Sequence, residues 1–110
     1  MSETGPDRAW IKRYLDHLRY ERRLSPHTGK NYHRDIEALY SFLCAHDVTD
    51  WRNVDALHIR SFAARQHRKG LAPRSIQRRL SAVRGLFNYL IREGAVDSNP
   101  AADVLSLIQI

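Results

Sequence analysis

Residues 71–94 carry the strongest structural signal in the chain, a long amphipathic segment with a proline near its start and a glycine at its end. Proline is favoured in the first turn of an α-helix, and glycine just after the last turn. Apolar residues recur between them at the spacing of one helix face. They are Ile76, Leu80, Val83, Phe87 and Leu90, with Leu86 and Ile91 widening the face. The pattern predicts a helix over 73–93 that buries one side in a core.

The opposite side of this helix is basic and polar. It carries Arg74, Gln77, Arg78, Ser81 and Arg84. A helix with guanidinium and amide groups on its exposed face can enter the major groove of DNA, which admits an α-helix and displays hydrogen-bonding base edges. The same pattern is typical of a core helix with a solvated back, and on this segment alone we favour that simpler interpretation.

Two further helices are predicted in the N-terminal part of the chain. Asp7 is placed to cap a first helix that buries Ile11, Tyr14, Leu15 and Leu18. Arg19, Arg22 and Arg23 place positive charge near the C-terminus of this helix. Ser25 and Pro26 form a strong start signal for a second helix that runs to about residue 45. Its buried stripe comprises Tyr32, Ile36, Leu39, Tyr40 and Leu43, with Phe42 at the edge.

A connector and a third helix complete the pattern. Trp51 in the connector is expected to plug the core, and Asp55 is a plausible N-cap for a helix that ends by Lys69 and Gly70. Residues 101–110 form either a short fifth helix or a frayed tail. Since no segment shows strand-like alternation, we predict an all-α bundle of four main helices.

Positive charge is concentrated in one part of the chain. Eighteen Lys and Arg residues outweigh twelve Asp and Glu, which gives a net charge of +6. No acidic residue occurs between Asp55 and Glu93. That stretch holds Arg60, Arg65, Arg68, Lys69, Arg74, Arg78, Arg79, Arg84 and Arg92. Because solvated surfaces usually mix both signs, this distribution favours a polyanionic partner, with nucleic acid ahead of a membrane surface.

Other classes of function find little support. No apolar run approaches the roughly 20 residues that span a bilayer, and residues 1–7 do not read as a signal peptide. Cys44 is the single cysteine, which fits a reducing cytoplasm. We find no metal-ligand spacing, glycine-rich phosphate loop or catalytic set. We therefore expect a binding module with no catalytic residue, metal, cofactor or small-molecule substrate.

Three segments together resemble the N-terminal, SAM-like core-binding domain of tyrosine recombinases. They are L-S-P-H-T-G-K-N-Y-H-R-D-I (24–36), G-L-A-P-R-S-I-Q-R-R-L-S-A-V-R-G-L-F-N-Y-L (70–90) and S-N-P-A (98–101). Their order and spacing are more specific than any one of them. The resemblance covers residues 8–103, so we expect one domain over 1–103 and a tail over 104–110. Within the family, the recombinases of chromosome dimer resolution are most similar.

This resemblance implies that two long helices, 26–45 and 73–93, lie on double-stranded DNA as one half of a C-shaped clamp. The implied DNA-facing positions are His27, Thr28, Lys30 and Asn31 on the first helix and Arg74, Ser75 and Arg78 on the second. The residue pattern adds Arg34 and places His27, Lys30, Asn31 and Arg34 away from the buried stripe, where an ordinary solvated first turn is an equal alternative. Arg79 and Arg92 are expected to be structural or peripheral. A second recombinase subunit is the other implied partner.

The resemblance also implies that catalysis belongs to a second, C-terminal domain with a tyrosine nucleophile, which these 110 residues do not contain. Tyr14, Tyr20, Tyr32, Tyr40 and Tyr89 do not match that nucleophile. An alternative is a helical protein-interaction module that does not bind DNA. In that case the apolar tail residues Leu105, Leu107 and Ile108 would drive self-association.

Overall fold

The computed structural model describes residues 5–102, and within them the chain is all-α. The helices are α1 (Ala9–Tyr20), α2 (Pro26–Ala45), α3 (Ala56–Arg68) and α4 (Pro73–Arg92), with a short 3-10 helix (Trp51–Asn53) between α2 and α3. The predicted bundle of four main helices is confirmed. Residues 101 and 102 lie in a turn. The remainder of the predicted fifth helix, with the tail, lies outside the described residues.

The helix starts follow the cap signals in the sequence. The Ser25 hydroxyl accepts a hydrogen bond from the backbone N–H of Thr28 at 3.2 Å. The Asp55 carboxylate accepts one from the backbone of His58 at 2.9 Å, and the His58 ring accepts one from the backbone N–H of Asp55 at 3.1 Å. The Asp7 carboxylate accepts from the backbone N–H of Ala9 at 2.9 Å. Ser25 and Asp55 are therefore the predicted N-caps, whereas Asp7 lies one residue before the N-cap position of α1, which is Arg8.

One helix end differs from its prediction. Helix α1 ends at Tyr20, so Arg22 and Arg23 lie beyond it rather than in its last turn. Arg23 adopts a left-handed backbone, φ +52°, and the N–H of Leu24 returns to the carbonyl of Leu18 at 3.2 Å. This hydrogen bond satisfies a backbone carbonyl in the last turn of α1, although the left-handed residue that allows it is Arg23 and not the usual glycine. Gly94 ends α4 as predicted, with φ +79°.

Helices α2 and α4 form the centre of the bundle, and α1 and α3 each pack on both of them. Every predicted core residue of α4 is fully buried except Ile91, which is 38% exposed. That part of the prediction is wrong, because Ile91 lies at the edge of the buried face in the last turn of the helix. Trp51 is 4% exposed and meets the ring of Phe87 edge-on at 5.8 Å, which confirms its role as a plug.

A close approach between α1 and α4 depends on a glycine. A Cβ atom added at Gly85 would lie 2.5 Å from the hydroxyl oxygen of Tyr14 and 3.7 Å from its Cζ. The Tyr14 ring is 4% exposed and tilts against the ring of Tyr89 at 5.5 Å, so it has little room to withdraw. Gly85 is therefore retained inside a helix, despite its low helix propensity, because α1 packs directly against its backbone.

We expect Gly85→Ala to destabilise the fold by about 1–3 kcal/mol, the usual cost of an overpacked core. Gly29→Ala is the matched control, because a Cβ there meets nothing within 4 Å. It should stabilise α2 by about 0.5–1 kcal/mol through helix propensity alone. Urea unfolding measures both changes. Adding Tyr14→Phe removes the clashing oxygen and should restore most of the loss, and a failure to rescue would contradict the contact.

The same burial produces a pH dependence. Burial raises the pKa of Tyr14 to about 12, with a smaller contribution from nearby Tyr32. Since the unfolded pKa is about 10, this contribution to stability is complete below that pH and is lost as pH rises towards 12. As the pH rises from about 10 to about 12, the free energy of unfolding measured in urea should fall by about 2 kcal/mol more in the wild-type chain than in Tyr14→Phe. Parallel losses in the two proteins would show that Tyr14 is not the group responsible.

Candidate nucleic-acid interface

Three helices meet at a buried carboxylate. Asp35 of α2 is 1% exposed. Its Oδ1 accepts hydrogen bonds from Nη2 of Arg78 at 2.9 Å and from Nε of Arg79 at 3.0 Å, and its Oδ2 accepts from Nε of Arg78 at 3.3 Å. Nη1 of Arg79 donates to Oε1 of Gln66 on α3 at 2.7 Å. We call these four residues, Asp35, Gln66, Arg78 and Arg79, the polar junction.

The two arginines of the junction differ in exposure, although they are consecutive in the sequence. The side chain of Arg79 is 11% exposed, and that of Arg78 is 49% exposed. Arg79 therefore serves as the internal counter-ion of Asp35, in agreement with its predicted structural role. Arg78 lies at the rim, where Nε and Nη2 are held by the carboxylate and Nη1 has no partner among the described residues.

The predicted positions on α2 divide into exposed and half-buried residues. His27, Lys30 and Arg34 are exposed, whereas Thr28 and Asn31 are half-buried. Asn31 was placed on the exposed face by the sequence pattern, and the structure moves it to the boundary. The Thr28 hydroxyl accepts a hydrogen bond from the Ser25 hydroxyl at 2.9 Å, so it belongs to the helix cap. Arg34 directly precedes Asp35 in the sequence, but its side chain lines a groove between α1 and α2 together with Lys30.

On α4 the predicted residues surround the same junction. Arg74 is exposed and lies one helical turn before Arg78, while Ser75 is half-buried. The hydrogen bonds between Asp35 and Arg78 join the middle of α2 to the first half of α4. Arg78 and Arg79 are the two cations that bond Asp35 directly, and Arg74 lies one turn before Arg78 on the same helix.

The cations of the described chain fall into a paired group and an unpaired group. On α1, Arg8 pairs with Glu37 at 2.6 Å, Lys12 with Asp16 at 2.9 Å and Arg13 with Glu93 at 3.1 Å. Arg19, at the end of α1, and Arg22, Arg23 and Arg52, in the connections, form no ion pair with a described residue. Eight further exposed cations on or next to α2, α3 and α4 also form none. They are Lys30, Arg34, Arg60, Arg65, Arg68, Lys69, Arg74 and Arg84. We call this set the unpaired cations.

The S-N-P-A segment anchors the chain after α4. The side-chain amide of Asn99 donates to the carbonyl of Arg84 at 3.1 Å and to Oδ1 of Asn88 at 2.8 Å. Its oxygen accepts from the backbone N–H of Ala101 at 2.9 Å, and Ala101 is 1% exposed. Asn99 therefore fixes the position at which the chain leaves α4.

The described residues offer neither a metal site nor a membrane span. Residues 5–102 hold no cluster of three or more His, Cys, Asp or Glu side chains suited to a metal ion. None of the described helices combines the length and apolar character needed to cross a bilayer. The polar junction and the unpaired cations therefore remain the features to be explained.

Comparisons with known proteins agree with the fold and with the sequence segments. The profile of the phage integrase N-terminal SAM-like domain matches residues 11–94. Tyrosine recombinase XerC of Pseudomonas syringae pv. syringae is 47% identical over 88 residues, which are 80% of this chain and 29% of that protein. Tyrosine recombinase XerC of Escherichia coli O157:H7 is 42% identical over 94 residues, which are 86% of this chain and 32% of that protein. No solved structure shows significant similarity. The chain spans less than a third of the length of these curated relatives.

We expect Asp35→Ala to destabilise the fold by about 3–5 kcal/mol, because it leaves the buried guanidinium of Arg79 without its counter-ion. Asp16→Ala is the control, since the Asp16 carboxylate is 45% exposed in its pair with Lys12. Its loss should change stability by less than about 1 kcal/mol. Urea unfolding compares the two, and losses of equal size would argue against a structural role for the junction.

Proposed function

The chain belongs to the phage integrase N-terminal SAM-like domain family, and from this premise we propose that it is the DNA-binding domain of a XerC-like tyrosine recombinase. The observation that supports this most directly is the set of unpaired cations. Surface cations of a soluble helical domain are usually balanced by nearby acids, as Lys12 and Arg13 of α1 are in this chain. Unbalanced cations on the other helices suit the phosphates of a duplex.

We assign two roles to the predicted residues. Lys30 and Arg34 on α2, with the exposed cations of α3, contact phosphates and so fix the position of the domain on the duplex. Arg74, Ser75 and Arg78 on α4 contribute the partial readout of base edges in the major groove. His27, Thr28 and Asn31 lie near the start of α2, where the positive end of the helix dipole also favours an anion.

The whole recombinase is a further part of the proposal. We infer that residues 1–103 form one half of a clamp and that the catalytic tyrosine belongs to a second domain, so this chain binds DNA and cleaves none. We also propose that it works in the cytoplasm beside a second, XerD-like recombinase subunit. The relatives are named tyrosine recombinases, and this chain corresponds to their N-terminal part by its family match.

We expect the chain to bind duplex DNA with a strong dependence on salt. If the domain makes about four to six phosphate contacts, a plot of log K against log salt concentration should have a slope of about −4 to −5. Fluorescence anisotropy of a short labelled duplex measures this slope. An affinity that does not change with salt would exclude the phosphate contacts.

Within α4, we expect Arg74→Ala and Arg78→Ala each to weaken binding to a selected duplex by about 1–3 kcal/mol if the arginine forms a bidentate contact with guanine. Arg92→Ala removes the same charge from the far end of the helix, where Arg92 meets Glu93 at 3.3 Å, and should have a much smaller effect. Equal losses in the three variants would mean that α4 acts only through its net charge.

Sedimentation with and without DNA tests the alternative of a protein-interaction module, which predicts self-association and no DNA complex.

A further inference from the structure

The polar junction carries an inference that rests on the proposed DNA binding and goes beyond it. We propose that Asp35 is a positioning residue that holds the guanidinium of Arg78 ready for the duplex. Asp35 is itself buried and cannot contact DNA, so it can act on binding only through its charge or through another side chain. The side chain that joins it to the surface is Arg78.

The charges of the junction leave Arg78 available to an anion. One carboxylate meets two guanidinium groups, so the group of three carries a net positive charge. Arg79 is the more deeply buried of the two arginines and balances Asp35 inside the protein. Arg78 therefore keeps an uncompensated charge at the rim, even though two of its three nitrogens are hydrogen-bonded.

The geometry of the contact determines the direction in which Arg78 points. Nε and Nη2 meet the two oxygens of Asp35 at 3.3 and 2.9 Å, which is a two-point contact along one edge of the guanidinium plane. Such a contact fixes the orientation of the plane as well as its position. The remaining nitrogen, Nη1, is directed away from that edge. An arginine held in this way loses less side-chain entropy when it binds than a mobile arginine does.

The rest of the junction makes the support rigid. The Asp35 carboxylate also accepts from Arg79, and Arg79 is fixed by Gln66 of α3. The anchor of Arg78 is therefore tied to three helices rather than to one flexible side chain. Arg74, one turn earlier on the same helix, is exposed and has no ion-pair partner among the described residues, so it serves as an internal comparison.

Asp35→Asn distinguishes positioning from simple electrostatics because the two predict changes of opposite sign. Removing a negative charge near the DNA should tighten binding if only net charge matters. If Asp35 positions Arg78, the substitution should instead weaken binding roughly 2- to 10-fold, since the guanidinium must then be ordered by the DNA itself. The probe is the tightest-binding duplex selected from a randomised pool, with the full chain and one fixed salt concentration. Thermal unfolding establishes that the variant is folded at the temperature used.

A double-mutant cycle separates positioning from a general structural effect. In the background of Arg78→Ala, Asp35→Asn should no longer weaken binding, because the side chain through which it acts is gone. If the same loss persists in that background, the inference is overturned. It is also overturned if Asp35→Asn alone binds as tightly as the wild-type chain or more tightly.

A second measurement covers the case in which Asp35→Asn does not fold. In the wild-type chain without DNA, NMR should show the Nε–H of Arg78 exchanging with water more slowly than that of Arg74. Equal exchange rates would overturn the inference without any variant. If the wild-type chain binds no duplex, the proposed function itself fails, whereas a chain that binds duplex but gives either adverse result on Asp35 loses only the positioning role.

Discussion

The arrangement of this domain depends on the buried carboxylate of Asp35. Removing an isolated charge of this kind from water costs free energy. Attraction to an opposite charge offsets that cost only when the geometry is good and the remaining polar atoms are hydrogen-bonded. Here both carboxylate oxygens accept hydrogen bonds, and the chain of contacts continues through Arg79 to Gln66. Because the partners belong to α2, α3 and α4, apolar packing alone does not decide the relative register of these helices. Alternative registers of these helices that would leave a buried charge of the junction unpaired are less stable.

The same carboxylate also affects the surface, although it is hidden from solvent. Asp35 bonds Arg78, one of the predicted DNA-facing residues, and it is enclosed by the helices. Glu37, two residues later, is drawn towards α1 by Arg8. No carboxylate of the described residues pairs with an exposed cation of α3, and on α4 the exposed cations that are paired are Arg78 and Arg92. The other exposed cations of α3 and α4 keep their charge for an external partner.

Helix positions and caps could be predicted from the sequence because they depend on local chemistry. Ser25, Asp55 and Gly94 act on backbone groups within a few residues, and the apolar spacing fixes which face is buried. The polar junction was not predicted, because Asp and Gln are mostly exposed in proteins and the apolar pattern therefore gives no reason to bury Asp35 or Gln66. A signal did exist. Asp35 is spaced three residues from Tyr32 and four from Leu39, and Gln66 follows Phe62 by four, so both share the buried spacing. The contact between Gly85 and Tyr14 had no such signal, since it depends on how α1 meets α4.

A domain that grips DNA as half of a clamp gains from preorganisation more than a complete clamp does. Two linked domains hold each other near the duplex and raise the effective concentration of every contact. A single domain has no such help, so the entropy lost in ordering each arginine weighs directly on its affinity. Most of the unpaired cations are long exposed side chains that are suited to diffuse phosphate contacts. An arginine whose position is set inside the fold, as Arg78 is by Asp35, contributes differently. It offers an oriented donor at a fixed place on α4, and oriented donors are what base readout requires.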